Sequence, residues 1–127
     1  MDYFAEKITQ FVRKNEEKYC QLSQEIWRYA ELAFHEEKSS QALIQMLAQE
    51  GFAITTGLAG IPTAFVAKYG SGKPMVGILG EYDALPSLSQ KAGCPHREEL
   101  VPGGAGHGCG HNLLGVGAAA AAVAVKD

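Results

Sequence analysis

The chain has no CxxC pair, and its three cysteines (Cys20, Cys94 and Cys109) leave one over, which argues against a disulfide framework. It also has no excess of basic residues. The net charge is −3 and no basic stripe appears, so nothing supports nucleic-acid binding. Its apolar N-terminal residues are interrupted by Asp2, Glu6, Lys7, Arg13 and Lys14, so a signal peptide is not expected. The longest small-apolar run, residues 118–125, is too short and too weakly apolar to cross a bilayer. A cytoplasmic protein without a membrane partner is the expectation. The hydrophobic share of 46% over 127 residues is enough for a core.

The periodicity divides the chain into a helical half and a strand-and-loop half. Phe4, Ile8, Phe11 and Val12 recur at helical spacing, which predicts an amphipathic helix over residues 2–19. Leu22, Ile26, Tyr29 or Ala30, and Ala33 predict a second. A third is expected from an N-cap at Ser39 or Ser40 through Leu43, Met46 and Leu47, ending at Gly51 with a left-handed terminator before Phe52. Trp27, Tyr29, Phe34 and His35 read as a packing cluster between helices. Short strands are predicted at 52–56, 63–69 and 75–80, with Ser71-Gly72-Lys73 turning a hairpin between the last two. The residues after His111 form a helix apolar on nearly every face, which calls for burial between other elements.

Two motifs carry the chemistry. The apolar run 75–80 stops at Glu81-Tyr82-Asp83, placing two acids one residue apart at a strand end. Further on, Gly106-His107-Gly108-Cys109-Gly110-His111-Asn112 interleaves a thiol and two imidazoles with glycines. Thiolate and imidazole are preferred zinc ligands, and the glycines would let the backbone approach an ion closely. The segment 86–111 between the motifs has little periodicity, two further prolines and six glycines. A long loop of that kind is often functional, and here it would bring the two motifs together. A different grouping is open: Cys94, His96, Cys109 and His111 could close a tetrahedral structural zinc site, although the spacing is unusual and Pro95 restricts the first pair.

Taken together, Gly80-Glu81-Tyr82-Asp83-Ala84-Leu85-Pro86 and Gly106-His107-Gly108-Cys109-Gly110-His111-Asn112 resemble the M20 family of metal-dependent amidohydrolases and peptidases. The nearest branch is the aminoacylase and aminobenzoyl-glutamate hydrolase group. The resemblance implies an α/β fold: a mixed sheet flanked by helices, the N-terminal part of a metallopeptidase-type catalytic domain, incomplete within residues 1–127. It implies two divalent ions, zinc or manganese, with Cys109 and His111 as ligands and Asp83 orienting a ligand or water. Glu81 and His107 are candidates to act behind the ligands, with His107 open also to a role as a loop brace or as a ligand itself. It further implies hydrolysis of an amide bond in a small molecule, a homodimeric intact enzyme, and no activity from this segment alone.

Overall fold

The computed structural model describes residues 2–126. Helix α1 spans Tyr3–Tyr29, α2 spans Glu37–Gln49, strand β1 Ala53–Thr56, strand β2 Phe65–Lys68, and α3 His111–Lys126. A short helical turn, Leu58–Gly60, joins the strands. The strands pair antiparallel, with Ala53 opposite Lys68 and Thr56 opposite Phe65. The core lies where α1, α2 and α3 meet. Leu22 and Ile26 come from α1, Leu43, Met46 and Leu47 from α2, and Val116, Ala119 and Val123 from α3, with Phe52 closing the end. Ile26 is wholly buried, worth roughly 1.5–3 kcal/mol by transfer.

One helix occupies the place of the two expected before residue 30. No glycine or proline interrupts residues 3–29, so nothing breaks the first helix before the second begins. It ends where Ala30 turns left-handed, its N–H bonding the Ile26 carbonyl. That turn leaves Tyr29, Phe34 and His35 exposed, so the expected packing cluster with Trp27 does not form.

Helix α2 begins at Glu37, earlier than a serine cap would allow. Its free amides find the Glu31 carboxylate instead, which accepts from Lys38 N (3.0 Å), Ser39 N (2.8 Å) and Ser39 Oγ (2.8 Å). An anion there also suits the positive end of the helix dipole. The expected left-handed terminator at Gly51 is present, with φ of +86°.

The sheet is where expectation and structure part. Among the described residues it has two strands, both antiparallel, and the hairpin connection is 57–64. Residues 75–80 form no strand, and Met75, Val76, Ile78 and Leu79 are exposed. Among the described residues 75–80 pairs with neither β1 nor β2, so its strand propensity goes unused. The parallel character of the expected mixed sheet is reduced to a single bridge between Leu32 and Ala84.

Helix α3 buries one face rather than all of them. Asn112, Gly115, Val116, Ala119 and Val123 face inward, while Leu113, Leu114 and Val125 remain exposed. No helix among the described residues is long and apolar enough to cross a membrane.

Glu50, the C-cap of α2, ties the three helices together. It accepts from Lys18 of α1 and from Lys126 of α3. The Lys18 contact is the main reason its carboxyl sits below the ordinary carboxylate range. A carboxylate depressed in the folded state adds stability above its unfolded value, lost as pH falls through the folded one. The stability difference between wild type and Glu50→Gln should therefore be largest near neutrality and shrink below about pH 4.5. Urea midpoints across that range measure it, and a pH-independent difference would count against the clamp.

Candidate metal centre

The acidic motif is oriented by the residue between its two acids. Tyr82 turns inward, its ring 6.1 Å from that of Phe65 and its hydroxyl donating to the Thr63 carbonyl. Burial, followed by the nearby Glu36 charge, pushes its phenol up to about 12, so it stays a neutral donor. Glu81 and Asp83, on either side of it, both reach the same imidazole, that of His111. Ala84, 2% exposed, pins the following residue through its N–H to the Glu31 carbonyl (2.7 Å).

The 86–111 loop does fold back to join the motifs. Leu85 and Gly106 exchange two backbone hydrogen bonds of 3.0 Å, and Ser89 N donates to Gly104 O at 3.0 Å. The glycine at 106 serves this closure rather than approach to an ion: a Cβ there would stand 1.9 Å from the Leu88 carbonyl oxygen.

His111 is the first residue of α3, and Asn112 beside it anchors the helix start. The buried Asn112 amide donates to Ser23 Oγ (3.0 Å) and Ser23 O (3.3 Å) on α1. With both segments fixed, His111 Nδ1 lies 2.7 Å from Asp83 Oδ1 and Nε2 lies 3.3 Å from Glu81 Oε2. Asp83 and His111 are mostly covered, at 22% and 21% side-chain exposure, whereas Glu81 is open at 67%. In a neutral ring whose Nδ1 donates to Asp83, Nε2 would be unprotonated and free to ligate an ion. Glu81, Asp83 and His111 offer one imidazole and two carboxylates within 4.8 Å, a donor set that suits zinc or manganese.

The remaining motif residues are placed differently. His107 points into the fold, with Nε2 donating to the Ile26 carbonyl (3.1 Å) and Nδ1 buried without a partner. Burial is the main cause that lowers its pKa and keeps it neutral. It braces the loop on α1. Cys109 is exposed and lies outside the Glu81–Asp83–His111 group. The four-residue zinc arrangement is not assembled either. Cys94 and His96 group with Glu98, and His111 groups with the two acids.

The feature sequence reasoning missed is the contact that sets the spacing. A Cβ on Gly115 would meet Glu81 O at 2.9 Å and Tyr82 Cβ at 3.0 Å, and one on Gly80 would meet Ala118 Cβ at 2.8 Å. The signal was present: glycine inside a helical run costs about 1 kcal/mol and often marks close packing.

No protein-family model matches the chain. It is 45% identical over 119 residues to a component of the p-aminobenzoyl-glutamate hydrolase of Escherichia coli, a match that covers 94% of this chain and 25% of that protein. The chain is a homologue of M20 hydrolases and peptidases. Human Xaa-Arg dipeptidase is 32% identical over 118 residues, 83% of this chain and 23% of its own length. Thermostable carboxypeptidase 1 of Saccharolobus solfataricus is 30% identical over 110 residues, 85% of this chain and 27% of its own. The chain thus spans about a quarter of the length of these curated M20 relatives.

Two helix glycines separate the packing effect from propensity. Gly117→Ala has open space and should gain up to ~1 kcal/mol of helix propensity. Gly115→Ala should instead lose about 1–3 kcal/mol, because overpacking against backbone outweighs that gain. Denaturant unfolding of the two variants decides it, and equal stabilisation of both would contradict the close approach.

Proposed function

We propose that this chain supplies part of the metal centre of a hydrolase that cleaves an amide bond in a small molecule. The observation that carries the reading is the His111 ring held between Asp83 and Glu81. The names of the M20 relatives support it, since aminobenzoyl-glutamate hydrolase, dipeptidase and carboxypeptidase are all named for amide or peptide substrates. Among N-acyl amino acids, dipeptides and aminobenzoyl-glutamate, the last is the substrate favoured by the higher identity.

His111 Nε2 would hold a divalent ion, zinc or manganese, one of a pair. Glu81, rather than acting from behind a ligand, would contribute a carboxylate oxygen from the side that Nε2 faces. Asp83 would keep the proton on Nδ1 and raise the basicity of the ring. Cys109 is assigned as a thiolate ligand on the motif alone. A bound ion supplies Lewis acidity and lowers the pKa of a water nucleophile. One imidazole, one carboxylate and one thiolate divided between two ions fall short of the three protein ligands that each catalytic zinc ordinarily has, so the 127-residue chain is expected to be inactive alone. The working enzyme would be a cytoplasmic homodimer.

Asp83→Asn, made in the enzyme that carries this chain, should lower turnover of p-aminobenzoyl-glutamate by about 10–100-fold and reduce metal content much less. Turnover and elemental analysis on the same preparation provide the check. Unchanged turnover would reduce Asp83 to a structural turn residue.

A further inference from the structure

Cys94, His96 and Glu98 have no part in the candidate metal centre, and they come together within the 86–111 loop. Cys94 Sγ lies 3.3 Å from His96 Nε2 and 3.2 Å from Glu98 Oε2, and His96 Nε2 lies 3.3 Å from the same oxygen. The three donor atoms make a nearly equilateral triangle. Tetrahedral bonds of about 2.3 Å to sulfur and about 2.0–2.2 Å to nitrogen and oxygen separate ligand atoms by roughly 3.3–3.6 Å. The observed separations lie at or just below that range, so the side chains would have to spread by only a few tenths of an ångström to admit an ion.

The loop is built around this triangle. The Gln90 amide donates to His96 O (2.9 Å), Lys91 O (3.3 Å) and Cys94 O (3.5 Å), and Gln90 Oε1 accepts from Glu98 N (3.1 Å). One side chain thereby fixes the backbone of all three donors. Lys91 N also donates to Glu98 O at 2.8 Å, and its ammonium pairs with Glu98 Oε1, leaving Oε2 to face the sulfur and the imidazole. Carboxylates that bind metals are commonly held by an outer hydrogen bond of this kind.

We propose that Cys94, His96 and Glu98 form a second cation site, separate from the Glu81–Asp83–His111 group, which takes a borderline-soft divalent ion of the zinc class. A thiolate and a carboxylate balance the ion's charge, and the imidazole completes a mixed S, N, O set that oxygen-seeking magnesium or calcium would not favour. The Lys91 contact, with smaller help from Cys94 and His96, already holds the Glu98 carboxyl below its usual range and hence ionised. Binding releases the Cys94 thiol proton to solvent and forms S–, N– and O–metal bonds, with the fourth position left to water. The bound ion would staple residues 94–98, part of the loop that closes the two motifs onto each other.

The test uses the 127-residue chain with Cys20→Ser and Cys109→Ser together, so that Cys94 is the only thiol among residues 1–127. Cobalt(II) titration should then produce a sulfur-to-cobalt charge-transfer band that saturates at one equivalent and is displaced by zinc. Adding Cys94→Ser should abolish the band. His96→Gln or Glu98→Gln should weaken binding by about tenfold or more, since even outer-shell losses cost ~10–100-fold. Both Cys20 and Cys109 are exposed, so their serine variants should fold, and circular dichroism verifies this. Absence of the band in the folded background, or affinity indifferent to both His96→Gln and Glu98→Gln, would overturn the site. Because the band requires a thiolate and Cys109 is absent throughout, the readout reports Cys94 and not the proposed hydrolase centre.

Discussion

Everything in the candidate centre depends on how closely the 80–82 backbone lies against helix α3. Gly115 makes that approach possible, with the Glu81 carbonyl and Tyr82 Cβ occupying the space any side chain would need. The helix is in turn fixed to α1 by Asn112 on Ser23 and by the burial of Val116, Ala119 and Val123. Backbone contact between two otherwise unrelated segments therefore sets the distance between Asp83 and His111. A weak helix former at 115 is the cost of that contact, and the packing it permits outweighs the loss.

Around this contact the chain uses polar groups to hold ends rather than to fill the core. Glu31 closes the start of α2 through Lys38 and Ser39, and its carbonyl receives Ala84 N. Glu50 gathers Lys18 and Lys126 at the other end of the bundle. His107 spends its proton on the Ile26 carbonyl, so the second imidazole of the motif serves the scaffold and His111 alone turns to the acids. Two histidines four residues apart thus take different work from different surroundings.

The periodicity made helix legible over α1, α2 and α3, because helical patterning is local and their apolar faces meet, but it divided into two what forms one helix at α1. Gly51 was legible for the same reason, as left-handed φ is a property of one residue. The strand expected at 75–80 does not form, since a strand exists only with a partner and this segment pairs with neither described strand. At the candidate site, the meeting of Asp83 and His111 was readable from motif order, and the loop's role in joining them followed from its glycines and prolines. The position of Glu81 on the Nε2 side was not readable, because it depends on the Tyr82 ring turning inward against Phe65. Glu98 was missed for a similar reason: its link to Cys94 and His96 depends on the Gln90 amide folding the turn.

The central claim is that Asp83 fixes the His111 ring so that Nε2 faces the ion. Nitrogen-15 correlation spectroscopy of the histidine rings tests it most directly, on metal-free protein at a pH where the His111 ring is neutral. The account predicts a proton on Nδ1, an unprotonated Nε2, and a shift of the Nε2 resonance when zinc is added. A neutral His111 ring protonated at Nε2, with that resonance unmoved by zinc, would contradict it.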